Sequence, residues 1–357
     1  MKKFILSSFV FLLSSLNLQA ATAPSADFVL KNNHKASQIE LEKIKADQSQ
    51  KLERIYSNET PNWRPAEDYA DFKYVLFSSE TGFSEASQLR YTIAKNLPEG
   101  VKLVLLVPTS SAEQIKAEYS KYISADRIIL AKDANIGGGF WARDAFPYPV
   151  VNDQGQLSLV GAKYYRTFRA SPSVAASLNL NMSKNNFTFV GGNLLADENG
   201  VCFTIDSERK FTTTENDLKN IYGCKQVHYL RHTSGIGDVD EVMKPIGNNT
   251  IITNTAEYVN DFKSWGYNVL MIPAVPNSYR TYVNSLMVGK TVFMPTYGIA
   301  KDAEAQKVYE SLGYTVYGIR SNTLSDQMHG SIHCQTMAYP AVDEQALLAA
   351  LGLEKIN

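Results

Sequence analysis

Five polar residues recur along the chain at nearly constant intervals, and this repetition constrains the fold more than any other feature. Each stands at the start of a segment with a shared plan of a short strand, a turn with Gly or Asn, a second strand, an amphipathic helix and a further strand. Successive members are 49, 47, 44 and 50 residues apart. Such a period predicts repeated supersecondary units that bring equivalent positions together. The five residues are Asp144, Asn193, Asp240, Asn284 and Cys334.

A polar residue at the start of a strand is also ordinary turn or cap chemistry, so one example would mean little. Five at a common period, a cysteine among them, favour a single central cavity that they share.

The local pattern between these residues is that of an α/β protein. Short apolar runs at 74–77, 103–107 and 127–130 predict strands, and amphipathic stretches at 84–97 and 112–122 predict helices between them. The alternation of the two predicts an α/β fold.

The N-terminal residues predict export. Two lysines precede an apolar stretch at 4–16, and small residues follow at 20–23, so we expect a signal peptide over residues 1–23 and a secreted or periplasmic protein. The apolar stretch is shorter than the roughly 20 residues of a spanning helix, so no stable membrane insertion is expected. We expect a polar segment at 24–70, helical near 41–55, and one domain at 71–357.

Composition narrows the class of protein. Hydrophobic residues make up 44% of the chain and charged residues 20%, as in soluble globular proteins. The net charge is −1 without a basic cluster, which excludes a nucleic-acid-binding surface. No CxxC or HExxH pattern occurs, so the sequence predicts neither a metal nor another cofactor.

Three cysteines leave at least one thiol unpaired. Cys202 and Cys224 are plausible disulfide partners in an oxidising compartment, which would leave Cys334 free. The alternative is that all three are buried thiols.

Two motifs supply candidate anionic groups. Residues 137–147 place three glycines and an aromatic pair beside Arg143-Asp144, without the Lys-Ser/Thr of a phosphate loop. In 235–241, strand alternation predicts Asp238 and Asp240 on one face, where paired carboxylates would bind a planar cation. A calcium loop is the alternative, although Val242 and Met243 follow where further oxygen ligands would be needed.

Cys334 is the candidate nucleophile. It follows the turn at Gly330, and a strand reading places His333 on the opposite face, where it would not act as a base. The alternative for Cys334 is a small buried hydrophobe.

Together these segments resemble the guanidino-group-modifying enzymes, specifically the bacterial-type peptidylarginine deiminase and agmatine deiminase family. The matching motifs run in the family's order over about 70–340. They are Trp141-Ala142-Arg143-Asp144, Gly191-Gly192-Asn193, Asp238-Val239-Asp240-Glu241, Tyr282-Val283-Asn284-Ser285 and Gly330-Ser331-Ile332-His333-Cys334.

The resemblance implies a five-bladed β/α-propeller, pentein-like with pseudo-fivefold repeats, and an active site on its axis. It implies that Asp144 and Asp240 clamp a guanidinium and that Cys334 attacks its carbon to form a thiouronium. The partner would be a small guanidine or an arginine-containing peptide. Candidate substrate-binding residues also include Trp141, Asn193, Asn284, Arg166 and Arg169, although the two arginines are equally well explained as a solvated loop.

The chain departs from the family at Asp238, where a catalytic histidine is usual, and at Val190, where agmatine deiminases have a glutamate. Three accounts of Asp238 stay open: it transfers protons itself, His232 or His329 substitutes for it, or the protein binds guanidines without turnover.

Two other function classes are weighed against a deiminase. A papain-like hydrolase is disfavoured because the cysteine of that class lies near the mature N-terminus on a helix. Cys334 lies near the C-terminal end, in a segment that the sequence predicts to be a strand. A non-catalytic guanidine-binding module is the stronger rival. Peptidyl-arginine, free arginine and agmatine all remain candidate substrates, and export favours a peptide or a scavenged small guanidine.

Overall fold

The computed structural model describes residues 63–77, 84–133, 141–163, 184–188, 190–206, 215–233, 235–276 and 278–356. The predicted signal peptide, the predicted helix near 41–55, and Arg166 and Arg169 lie outside these residues.

The described strands and helices alternate along much of the chain, as the sequence predicts for an α/β fold. The strands are β1 Arg64–Pro65, β2 Phe72–Phe77, β3 Lys102–Leu106, β4 Ile128–Asp133, β5 Tyr148–Val151, β6 Leu157–Lys163, β7 Lys184–Thr188, β8 Leu195–Ala196, β9 Val201–Asp206, β10 Gln226–Arg231, β11 Met243–Pro245, β12 Thr250–Thr253, β13 Asn268–Met271, β14 Leu286–Val288, β15 Thr291–Thr296, β16 Thr315–Arg320, β17 Thr336–Pro340 and β18 Leu353–Lys355. The helices are α1 Ser84–Asn96, α2 Ala112–Tyr119, α3 Ala142–Ala145, α4 Glu215–Asp217, α5 Val259–Ser264, α6 Lys301–Ser311, α7 Asn322–Met328, α8 Ile332–Gln335 and α9 Glu344–Ala350.

The described strands form five sheets, and these sheets share one pairing pattern. Each sheet contains a unit in which one strand pairs antiparallel with a second, and the second pairs parallel with a third, as in β11, β12 and β13. In addition, β1 pairs antiparallel with β5, and β4 and β18 extend the sheet of β17, β2 and β3. The sheet that begins with β17 takes its next strands, β2 and β3, from the start of the described chain. The repeat predicted from sequence is therefore present as five similar units, and the last unit is completed by the first strands.

Helix α1 shows how the sequence spacing positions these sheets. Its buried residues Ala86, Leu89 and Ile93 recur three and four residues apart, which places them on one helical face. That face packs into a core cluster with β2 and β3, to which Phe77 and Leu103 contribute. Burial of a leucine of this kind contributes about 1.5–3 kcal/mol, so the face fixes the helix on its sheet.

The predicted cysteine pairing is confirmed. Cys202 on β9 and Cys224, just before β10, form a disulfide, and Cys334 is a free, buried thiol. Within the part of the chain that the structure describes, no helix has both the length and the apolar character needed to cross a membrane.

Candidate active site

The five repeated residues lie just before the first strand of each sheet unit, and four of them are on single helical turns. Asp144 is on α3, Cys334 is on α8, and the turns Gly191–Asn193 and Val239–Glu241 carry Asn193 and Asp240. All five side chains are buried. α3 contacts both α8 and the Gly191–Asn193 turn, which in turn contacts the Val239–Glu241 turn. The repeat thus brings residues from distant parts of the chain to one place.

Gly192 is the point at which the two candidate clamp carboxylates converge. Its backbone N–H donates to Asp144 Oδ1 at 3.0 Å. A Cβ added to Gly192 would lie 3.1 Å from Asp240 Oδ2, 3.3 Å from Asp240 Oδ1 and 3.4 Å from Asp144 Oδ1. A side chain at this position would crowd both carboxylates, and two converging carboxylates form an arrangement suited to a planar cation.

The two carboxylate oxygens of Asp240 have different neighbours. Oδ2 lies 2.6 Å from His333 Nδ1 and 3.7 Å from Cys334 Sγ. Oδ1 is buried and has no hydrogen-bond partner among the described residues. A buried carboxylate oxygen without a donor is costly, so Oδ1 is suited to accept from a cationic ligand.

Asn284 holds the turn that carries the cysteine. Its Nδ2 donates to Cys334 Sγ at 3.2 Å, and its Oδ1 accepts the backbone N–H of His333 at 3.1 Å. One side chain therefore fixes both the position of the sulfur and the local backbone.

The pKa of the Cys334 thiol is raised well above its usual value by burial and by the negative charges of Asp240, Glu241 and Asp144. The sulfur is therefore a thiol in the ligand-free protein at neutral pH. A cation bound among the same carboxylates would offset those charges and favour the thiolate, which is the nucleophilic form.

The structure corrects the strand reading of two motifs. Val239–Glu241 and Ile332–Gln335 are helical turns, so strand alternation does not describe the Asp238–Asp240 pair or the His333–Cys334 pair. Asp238 is extended and buried immediately before the first turn. A run of three or four residues is too short for the apolar pattern to distinguish a helical turn from a strand.

The predicted placement of His333 on the face opposite Cys334 is wrong, because these residues are on a helical turn and the imidazole reaches the neighbourhood of Cys334. Its Nδ1 meets Asp240, and its Nε2 lies 2.8 Å from Asp68 Oδ2. This second contact is within ion-pair distance for a protonated imidazole and is not a regular hydrogen bond. By contrast His232 is exposed, with Nε2 3.2 Å from the Gly235 carbonyl oxygen, and His329 stacks on a tyrosine ring.

The sequence analysis did not identify Asp68. This buried carboxylate accepts a hydrogen bond from Lys244 Nζ at 2.8 Å and lies 3.6 Å from Arg143 NH1. Burial alone would raise the pKa of Asp68, but His333, Lys244 and Arg143 outweigh burial and hold that pKa well below its usual value. One signal was present in the sequence: Lys244 lies on a short, otherwise apolar strand, and a buried lysine requires an anionic partner.

Two other predicted site residues are built into the scaffold. Asn193 Nδ2 donates to the Ile205 carbonyl at 3.0 Å, and Asn193 Oδ1 accepts from the N–H of Ile205 at 2.9 Å and of Val239 at 3.2 Å. Asn193 thereby ties the Asp240 turn to β9. Trp141 is buried against Gly330, where an added Cβ would lie 2.7 Å from the indole.

A known protein family matches the sequence, and known structures share the fold. The model of the Porphyromonas-type peptidyl-arginine deiminase family matches residues 75–340. The agmatine deiminase of C. jejuni superposes with a TM-score of 0.61 at 19% identity, covering 80% of this chain and 98% of that one. The agmatine deiminase of Enterococcus faecalis superposes with a TM-score of 0.63 at 15% identity, covering 80% and 98%. At these identities the two structures show a shared fold.

Proposed function

The chain belongs to the Porphyromonas-type peptidyl-arginine deiminase family, and we propose that it hydrolyses a guanidinium group to a ureido group with release of ammonia. The observation that carries this proposal is the placement of a buried thiol against converging carboxylates. Cys334 Sγ lies 3.7 Å from Asp240 Oδ2, and the carboxylates of Asp240 and Asp144 approach the same glycine.

The substrate cation is held by Asp144 and Asp240. A guanidinium presents N–H groups in one plane, and each carboxylate accepts them through charge-assisted hydrogen bonds. The buried Oδ1 of Asp240 gains its missing donor in this way. Asp144 and Asp240 are buried, so these bonds are stronger than they would be at an exposed surface.

Cys334 then acts as the nucleophile. Once the bound cation has offset the nearby negative charge, the thiol proton passes to Asp240 Oδ2, its carboxylate neighbour at 3.7 Å. Sγ bonds to the guanidinium carbon, the C–N bond breaks, and the nitrogen leaves as ammonia after gaining a proton. Water adds to the resulting thiouronium carbon and gives one proton to the group that protonated ammonia. The C–S bond then breaks, Asp240 returns the thiol proton to Sγ, and the ureido product leaves after losing its remaining proton.

Proton transfer to ammonia and from water is assigned to the buried carboxyl of Asp238, which stands at the position of the family's usual histidine. The observation that supports this assignment is that Asp238 is buried immediately before the turn that carries Asp240. The rival account of a guanidine-binding protein without turnover gains no support from the family match or from the structural relatives.

The same proposal includes the arrangement of the five sheets as a five-bladed β/α-propeller with this site on its axis. It is supported by the common pairing pattern, by the five site residues that precede the first strands, and by the sheet that joins β17 to β2. The protein is proposed to act outside the cytoplasm, because of the leader-like residues 1–23.

The substrate class is tested by incubating the purified protein with an arginine-containing peptide, free arginine and agmatine. Ammonia release and ureido formation in equal amounts with one of them are the expected result, and a peptide is the favoured substrate for an exported protein. Cys334→Ser is the control for contaminating activity. Absence of ureido product from all three substrates, with ligand binding intact, would support the binding-only account.

A further inference from the structure

We propose that Asp68 and His333 are positioning residues of this site: Asp68 holds the imidazole of His333, and His333 holds Asp240. The inference rests on the proposed function for its catalytic consequence. It adds two residues that have no assigned role in the reaction described above.

The contacts form one continuous buried chain. Lys244 Nζ donates to Asp68 Oδ2 at 2.8 Å, the same oxygen lies 2.8 Å from His333 Nε2, and His333 Nδ1 lies 2.6 Å from Asp240 Oδ2. Asp240 Oδ2 in turn is 3.7 Å from Cys334 Sγ. The side chains of Asp68, Lys244, His333 and Asp240 are all at most 4% exposed, so water does not screen the chain.

The order of the groups gives Asp240 a defined orientation. With a carboxylate at each ring nitrogen, the imidazole is held from both sides, and its Nδ1 can present an N–H to Asp240. Both oxygens of Asp240 lie beside Gly192, as does Asp144 Oδ1, and because His333 occupies Oδ2, Oδ1 is the oxygen left without a donor among the described residues. His333 is therefore the group that selects which oxygen of Asp240 faces the thiol and which is left for the substrate.

Asp68 is suited to this task because it stays ionised. Lys244 compensates its charge at Oδ2, the oxygen that also faces the imidazole, at 2.8 Å, and Arg143 lies 3.6 Å from Oδ1. A fixed negative charge with its own cationic partners can anchor an imidazole without competing for the substrate cation.

The test uses two small electrophiles that alkylate the free thiol of the full-length protein. Chloroacetamidine carries a guanidinium-like cation, and chloroacetamide is its neutral counterpart of the same shape. With both, an Sγ–C bond forms, the C–Cl bond breaks and chloride leaves. The ratio of the amidine rate to the amide rate cancels the intrinsic reactivity of Cys334. Dividing it by the same ratio for free cysteine gives the amidine preference, which reports alignment of the carboxylate clamp.

The wild-type protein is expected to prefer the amidine, and Asp68→Asn is expected to reduce that preference about 10-fold, as loss of one charge-assisted contact does. His333→Asn keeps an N–H donor near the Nδ1 position and is expected to retain most of the preference, whereas His333→Leu is expected to lose it. In the His333→Asn background, Asp68→Asn is expected to have no further effect.

A control variant separates positioning from general damage. Asp197 is also a buried carboxylate, and it accepts from the N–H of Asn199 and Val201 and from the hydroxyl of Tyr267. Asp197→Asn is expected to lower thermal stability and leave the preference unchanged. If Asp68→Asn does not fold because Lys244 loses its partner, Asp68→Asn with Lys244→Met removes both charges and is measured in its place.

Each outcome separates the two proposals. A wild-type protein without preference for the amidine overturns the guanidinium clamp, and the positioning role falls with it. A wild-type preference that survives Asp68→Asn overturns the positioning role alone. An equal effect of Asp68→Asn in the wild-type protein and in the His333→Asn background also overturns it, because Asp68 would then act through Lys244 and the scaffold.

Discussion

Gly192→Ala should damage the site and spare the fold. The added methyl would meet both oxygens of Asp240, at 3.1 Å and 3.3 Å, and Asp144 Oδ1 at 3.4 Å. Contacts this close require the carboxylates to move by a few tenths of an ångström. Gly192 is not among the glycines with positive φ, so its backbone accepts alanine without strain.

Gly192→Ala should affect stability much less than activity. Replacing glycine by alanine at a compatible backbone position stabilises a protein by about 0.4–1 kcal/mol through the unfolded state, which offsets part of the crowding. The free energy of unfolding should therefore change little, with a shift in Tm of about 2 °C or less. Displacement of one charge-assisted bond costs about 1.5–3 kcal/mol, so kcat/KM for ammonia release should fall roughly 10- to 150-fold.

Gly191→Ala is the matched comparison. Its added Cβ would lie 2.1 Å from the backbone carbonyl oxygen of Arg143, which cannot rotate away. This variant should lose stability as well as activity, so thermal unfolding and kcat/KM are measured on both. An unchanged kcat/KM in Gly192→Ala, or equal losses of Tm in the two variants, would refute the assignment of Gly192 as the meeting point of the carboxylates.

The other predictions concern the nucleophile, the clamp, the proton carrier and export. Asp144→Asn should weaken guanidine binding by about 1.5–3 kcal/mol, and calorimetry should show that Cys334→Ser keeps binding while ureido formation stops. Because burial and neighbouring carboxylates raise the pKa of the Cys334 thiol, the rate of Cys334 alkylation should increase only as the pH becomes alkaline. A bound guanidine should move this increase to lower pH. A rate that depends on neither pH nor guanidine would contradict the electrostatic account. Asp238→Asn should lower kcat about 100-fold with little change in KM. Asp238→His retains a proton carrier, so its kcat should be higher than that of Asp238→Asn. An unchanged kcat in Asp238→Asn would remove Asp238 from the mechanism. N-terminal sequencing of the exported protein should begin within residues 21–24, and an intact Met1 would contradict the proposed leader.

The sequence by itself determined the features that leave a local pattern or a regular interval along the chain. Apolar periodicity located β2, β3 and β4 and the helices α1 and α2 to within about three residues, because a buried face leaves its spacing in the sequence. The common interval located Asp144, Asn193, Asp240, Asn284 and Cys334, since repeated units place equivalent residues equivalently. Cysteine number and spacing anticipated the disulfide, although its formation depends on distance in three dimensions.

Tertiary structure alone decided which groups surround the cysteine. His333 meets Asp240 from 93 residues away, and Lys244 meets Asp68 from 176 residues away, so no local pattern records either pair. The strand reading failed at His333 because one helical turn before β17 rotates the imidazole toward Asp240, and four residues are too few to show that turn in sequence. Asp68 acquires its fixed charge only when folding removes it from water and surrounds it with Lys244, Arg143 and His333.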